Sequence, residues 1–275
     1  MVTKEQRQRA LARAKLERQE KRRAEASARR RQRNQLIGAV VAVLVVAGGG
    51  TWIATALNDD DGKDSAKPAA ADSPTPAPTP SVNNKPKTCA APAPGDPTKQ
   101  TWPNEPAMSI DTKAPYEMVL KSTCGDITVA LDAAKAPHTV NSFNFLASQK
   151  YFDHTKCHRL TTEGMNVLQC GDPTGTGSGG PGYKLPDENL TGATYPAGTI
   201  AMANGGPNTG GSQFFLCIND TQLGPNYTPF GKVTVGMDVL KKILDGGIDQ
   251  ELMGPGDGTP HENVVFNSVT VTKKA

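Results

Sequence analysis

The sequence predicts a mainly β domain, a closed or nearly closed antiparallel barrel with two α-helices over its openings, preceded by a single transmembrane helix. Three observations lead there. The 22 residues from Leu36 to Leu57 carry no charge, which makes about 33 Å of helix, enough to cross the hydrocarbon layer of a bilayer. The stretch 58–107 holds 11 of the chain's 22 prolines, which rules out helix and sheet interiors there. From residue 108 onward, short apolar runs recur between turn residues, with two segments at helical spacing. Closing such strands into a barrel removes exposed edges.

Charge divides the chain in the same way. The net charge is +3, but residues 1–35 hold 13 bases and 4 acids, leaving −6 for the remainder. An acidic remainder is a poor nucleic-acid binder, since that affinity needs clustered bases facing phosphates. Residues 1–35 are free of Gly and Pro and read as a basic helical tail next to a membrane, where Arg29, Arg30, Arg31 and Arg33 attract anionic lipid. The bases precede the apolar span and Asp59, Asp60 and Asp61 follow it. The positive-inside rule then puts the N-terminus in the cytoplasm and everything after residue 57 outside the cell membrane. A cleaved signal peptide is the rival reading, with Ala54 and Ala56 as the small residues. A 35-residue leader is long for that role, which favours a retained single-pass anchor over 36–57. Residues 58–107, with SPTPAPTP at 73–80, read as a Pro/Ala-rich flexible linker.

Residues 108–275 are long enough for one core. Tyr116 to Asp132 contains two alternating runs broken at Cys124–Gly125–Asp126, a hairpin signal. Ala136 to Phe152 begins near Pro137 and spaces Val140, Phe143, Phe145 and Leu146 as a helix packed on a sheet. Short strands are expected at 166–169, 199–203, 214–218, 230–233 and 264–271, and a second helix at 237–244. The five cysteines, Cys89, Cys124, Cys157, Cys170 and Cys217, have no zinc spacing. An outside location permits disulfides, yet an odd count leaves one thiol over and no pairing is assigned.

The usual catalytic patterns are absent. Gly171 to Gly182 is glycine-rich but lacks GxxxxGK[ST] and is not framed by strand and helix, so it reads as a surface loop. There is no GxSxG, and no HExxH joins the four histidines; no metal or cofactor is expected. Arg159 starts a strand, with Gln169 on the next and Gln213 entering Phe214–Phe215–Leu216. Taken alone, Arg159 is a surface ion pair. Beside amides and aromatics its guanidinium could instead serve a neutral substrate with directional donors.

Two segments settle the choice: CHRLTTEGMNVLQCGDPTGTGSGGPGYKLPDE, Cys157 to Glu188, and GTIAMANGGPNTGGSQFFLCINDTQLGPNYTPFGKV, Gly198 to Val233. In order and spacing they closely resemble the cyclophilin family of peptidyl-prolyl cis–trans isomerases, over essentially 115–272. The resemblance implies an eight-stranded antiparallel closed barrel capped by two helices, with a substrate groove on its outside. It implies an isomerase of X–Pro bonds acting on proline-containing polypeptides during folding, without a cofactor. It makes Arg159 the catalytic arginine and His158 its supporting neighbour. Gln169 and Gln213 become groove glutamines, Ala203 and Asn204 the segment that binds substrate backbone, and Phe215 and Leu223 the proline pocket.

Three positions depart from the family pattern. Asn166–Val167 stand where a Phe–Met pair is usual, and two extra residues between Arg159 and Gln169 leave either Asn166 or Met165 as the pocket wall. Tyr227 replaces a common His. Gln222 stands at, or one gap from, the Trp that many members use against cyclosporin-type cyclic peptides, so weak binding of such ligands is expected. A proline-peptide-binding chaperone or scaffold with little turnover is the alternative, distinguished by affinity without rate enhancement.

Overall fold

The computed structural model describes residues 83–274. The basic tail, the expected membrane helix at 36–57 and the linker up to residue 82 lie outside the described residues. Among the described residues no helix is long and apolar enough to cross a membrane.

Among the described residues ten strands and two helices follow in order: β1 (Tyr116–Ser122), β2 (Gly125–Leu131), α1 (Pro137–Ser148), β3 (Arg159–Thr161), β4 (Val167–Cys170), β5 (Thr199–Met202), β6 (Phe214–Cys217), β7 (Pro229–Val235), α2 (Met237–Gly246), β8 (Ile248–Gly254), β9 (Asp257–Pro260) and β10 (Phe266–Lys273). They form one antiparallel sheet in the order β10-β1-β2-β7-β5-β6-β4-β3-β9-β8. The expected closed ring of eight strands is therefore corrected to a ten-stranded ladder with β10 and β8 as its ends. The reason is the β8–β9 hairpin, which the apolar pattern does not announce. β3 uses its second edge on β9, Leu160 facing Gly258 and Thr161 facing Asp257. Across the remaining gap run only one bridge, Lys156–Val265, and single backbone bonds such as Cys157 N–H to Val264 O, 2.9 Å.

The alternation of the central strands separates two faces. Leu160, Leu168, Leu216 and Ile200 pair across β3, β4, β6 and β5 and are fully buried in the main core. One residue along, Arg159 faces Gln169, Gln169 faces Phe215, and Phe215 faces Ala201, a row on the opposite face. There Val167, Tyr195, Ala201, Phe215 and Cys217 form a smaller second cluster. The strand pattern thus sets the functional row against a rigid apolar backing.

Helix α1 buries Val140, Phe143 and Leu146, with Phe143 stacked on Phe152 at 5.2 Å. Its free N-terminal donors are satisfied by Glu188, whose carboxylate accepts from His138 N–H at 3.0 Å and Thr139 N–H at 2.9 Å. The apolar spacing predicts a helix to Phe152, but the helix ends at Ser148. Lys150 turns into the left-handed region (φ 54°), and Tyr151 and Phe152 enter the core from the loop instead.

The linker expectation is also corrected at its C-terminal end. Residues 83–107 have no regular secondary structure, as the prolines require, yet they lie on the domain as a strap. The Cys89–Cys124 disulfide joins the strap to the β1–β2 turn. Thr88 and Cys89 donate to the buried carboxylate of Glu262, with the Thr88 hydroxyl at 2.6 Å. Trp102 meets Phe145 edge to face at 5.1 Å. A second disulfide links Cys157 and Cys170, and Cys217 is the free cysteine. Cys217 is buried, which pushes its thiol pKa up to about 11, and it therefore stays an inert thiol near neutral pH.

Candidate active site

Arg159 opens β3, and the row described above brings it beside Gln169. Its guanidinium is held on two sides. Nε and Nη2 each donate to one oxygen of Asp257 at 2.7 Å, and Nη1 donates to Gln169 Oε1 at 3.0 Å. Gln169 Nε2 passes the direction on to Gln213 Oε1 at 3.0 Å, and Gln213 Nε2 donates to Gly179 O at 2.9 Å. The hydrogen bonds to Asp257 raise the already high pKa of Arg159, with burial acting against them, so the group stays cationic.

Next to this chain lies a cavity of about 230 Å³. Arg159, Gln169, Ala203 and Asn204 form its polar side, and Met165, Val167, Phe215, Leu223 and Tyr227 its apolar side, with Met253 at the rim. Phe215 and Tyr227 meet edge to face at 5.5 Å. Tyr227 is fixed in turn by Tyr195, whose hydroxyl donates to Tyr227 O at 2.8 Å and accepts from Tyr227 N–H at 3.1 Å. Asn204 is braced by its side-chain amide on Asn226 O at 2.7 Å. Such a cavity offers an apolar slot for a small ring with a cationic donor at one edge.

A second groove shares Gln169, Ala203 and Asn204 with the first and continues along Gln213, Ser178, Gly179 and Gly180. Its wall is the glycine-rich loop, and its organising group is Asp172. The Asp172 carboxylate is buried and accepts from the backbone N–H groups of Thr174, Thr176, Gly177 and Gly179. Burial acts to raise its pKa, but the Thr174 hydroxyl and these amides outweigh it and hold the carboxyl below its ordinary value. A Cβ on Gly179 would collide with that carboxylate, which explains glycine there. The loop wraps an internal anion rather than a phosphate.

Most residues singled out in the sequence meet at this site, and the structure separates the others. Gln213 reaches the second groove and not the first cavity. Met165 lines the cavity, whereas Asn166 faces away, accepting from Asn219 Nδ2 at 2.8 Å. Gln222 lies beside Thr221 and Leu223 in a separate shallow depression. His158 does not reach the cavity. It is buried one residue before β3, with its ring beside Gly177 of the glycine-rich loop, and among the described residues neither ring nitrogen has a hydrogen-bond partner. Burial lowers its pKa, with the charge of Asp172 opposing, so it backs the site as a neutral ring. Among the described residues no group of three or more His, Cys, Asp or Glu side chains could share a metal ion.

Asp257, Met253 and Tyr195 were not found from sequence. Tyr195 had a weak signal, an aromatic before Pro196 and the strand at 199. Asp257 had none, because only the β3–β9 pairing brings it to Arg159 across 98 positions.

Comparison with known proteins agrees with this geometry. The sequence model of the family described as cyclophilin type peptidyl-prolyl cis-trans isomerase/CLD matches residues 117–271. The chain is 48% identical over 159 residues to the probable peptidyl-prolyl cis-trans isomerase B of Mycobacterium leprae, covering 53% of each protein. The Mycobacterium tuberculosis protein of the same name is 45% identical over 159 residues. The chain thus spans about half the length of these mycobacterial relatives. It is 42% identical over 131 residues to the peptidyl-prolyl cis-trans isomerase-like 1 of Gibberella zeae, covering 80% of that protein. In three dimensions it resembles a cyclophilin type isomerase of Cryptosporidium parvum, with a TM-score of 0.50, 25% identity and coverage of 58% of this chain and 99% of that one. With the family pattern extending over more than half of its length, the chain belongs to the cyclophilin type peptidyl-prolyl cis-trans isomerase family.

Proposed function

We propose that this protein catalyses cis–trans isomerisation of X–Pro bonds in proline-containing polypeptides, and that it does so outside the cell membrane during protein folding. The observation that carries the reading is Arg159, cationic and held in a fixed plane at the edge of an apolar cavity sized for a small ring. Amide resonance sets a barrier of about 18–20 kcal/mol, and spontaneous X–Pro exchange takes tens to hundreds of seconds. In the twisted state the prolyl nitrogen loses conjugation and becomes a hydrogen-bond acceptor. Arg159 donates to that nitrogen while Met165, Val167, Phe215 and Leu223 hold the ring. Ala203, Asn204 and the glutamines hold the flanking backbone. The acceleration comes from contacts that are stronger in the twisted state than in either planar one. No acid, base or nucleophile is needed. Gln222, at or one gap from the position of the tryptophan common in the family, supports weak affinity for cyclosporin-type cyclic peptides.

The location rests on the +9 leader and the uncharged span at 36–57. Protease added to intact cells should remove the C-terminal domain, and a protected domain would refute the assignment. For the activity, the full chain in detergent should accelerate exchange of a short X–Pro peptide above the spontaneous rate. Arg159→Ala should lower kcat far more than peptide affinity, and Arg159→Lys should rescue poorly because ammonium lacks the planar fork. A folded Arg159→Ala protein with the parent's kcat/KM would end the mechanism.

A further inference from the structure

The β8–β9 hairpin lies outside the two segments that carry the family resemblance, and its outer surface is exposed along β8. It nevertheless supplies two groups to the site, Asp257 of its inner strand β9 on the guanidinium and Met253 near the end of β8 at the cavity rim. Asp257 faces Thr161 across the β3–β9 ladder, so Arg159, two residues along, is its diagonal neighbour, within reach of long side chains. Side-chain exposures of 22% for Arg159 and 18% for Asp257 make this a half-buried pair, less screened than a surface one.

We propose that Asp257 is a positioning residue of the isomerase site, fixing the plane of the Arg159 guanidinium so that its remaining N–H groups face the substrate. This rests on the isomerase reading given above. Arginine has five N–H donors. Asp257 takes one on Nε and one on Nη2, and Gln169 takes one on Nη1. The two left over are therefore on Nη1 and Nη2, in a plane the carboxylate dictates. Since Gln169 Oε1 is occupied by Arg159, its amide must donate onward to Gln213, so the same carboxylate sets the direction of the whole groove chain. A mere staple between strands would be redundant. The β3–β9 ladder and the bond from Thr162 N–H to Gly256 O at 2.7 Å already hold the hairpin in place.

The test compares Asp257→Asn, which keeps size and removes charge and one acceptor, with Asp257→Ala and Asp257→Glu in the full chain. Kinetics on an X–Pro peptide should show kcat reduced roughly ten- to hundredfold for Asn and Ala, the scale of a displaced catalytic group. KM and peptide affinity should stay within about threefold, and Glu should restore part of the rate. In an Arg159→Ala background, Asp257→Ala should change the rate less than about twofold, because a group acting through Arg159 has nothing left to position. A folded Asp257→Asn protein with the parent's kcat, or a loss of equal size in the Arg159→Ala background, overturns the proposal while leaving the isomerase reading intact. A parent protein that does not exceed the spontaneous rate overturns that reading and the role of Asp257 with it.

Discussion

The strap formed by residues 83–107 is held by a disulfide as well as by hydrogen bonds and ring contacts, and removing the covalent bond gives a measurable prediction. Replacing both Cys89 and Cys124 with serine frees no new thiol and opens a loop spanning a sequence separation of 35. The lost constraint on the unfolded chain is worth about 4 kcal/mol for a loop of that length. The non-covalent contacts stay. Glu262 keeps its bonds from Thr88 and from residue 89 N–H, and Trp102 keeps Phe145 and Tyr151 as ring neighbours. The strap should therefore remain docked in the native state, with the cost appearing in global stability. Urea unfolding followed by circular dichroism should show the double variant losing about 3–4 kcal/mol, a large part of the 5–15 kcal/mol typical of a domain. Isomerase activity at low temperature should be unchanged, since none of these contacts belongs to the cavity. A double variant within about 1 kcal/mol of the parent would refute the reasoning, because the bridge would then impose no constraint that folding feels.

Other expectations follow from the same geometry. The Cys157–Cys170 bond closes a shorter separation of 13 and brackets Arg159 and Gln169, so a double serine variant should lose about 3 kcal/mol and also lower kcat. Met253→Ala should raise KM severalfold with little change in kcat, since the side chain stands at the cavity rim and is 76% exposed; an unchanged KM would remove it from the site. His158 has its pKa lowered from 6.5 by burial, so the unfolded chain takes up its proton first as pH falls. The stability it contributes is complete above pH 6.5 and is lost as pH falls through the folded-state value. Denaturation curves at stepped pH should show that slope reduced in His158→Leu.

What could be read from the sequence was whatever depends on short-range order. Arg159, Gln169, Phe215 and Ala201 sit in strands of three or four residues, and period-two alternation alone puts them on the face opposite Leu160, Leu168, Leu216 and Ile200. What failed depended on partners far along the chain. The prolines of the strap forbid secondary structure, but docking needs none: a disulfide, the carboxylate of Glu262 and ring contacts of Trp102 hold it. The β8–β9 hairpin escaped because Ile248–Gly254 is exposed over most of its length and shows no apolar alternation. Helix α1 is shorter than its apolar spacing predicts, because Tyr151 and Phe152 continue a spacing that the backbone abandons at Lys150.

The pairing of Arg159 with Asp257 raises a physical objection, since a carboxylate on the guanidinium weakens the field it can offer a substrate. The objection carries less weight here than for a charged substrate. The prolyl nitrogen is neutral in both planar states, and what it needs at the twisted state is a donor at a defined distance and angle, which falls off steeply with misalignment. An unpaired arginine would have to give up about 2 kcal/mol of rotamer entropy on each encounter to supply that donor. With Asp257 and Gln169 already holding three of its N–H groups, the ordering is complete before the substrate arrives, and the remaining donors stay within a charged, planar group. The site thus exchanges some long-range attraction for orientation. That exchange favours kcat over affinity, which is why the Asp257 variants are expected to separate the two.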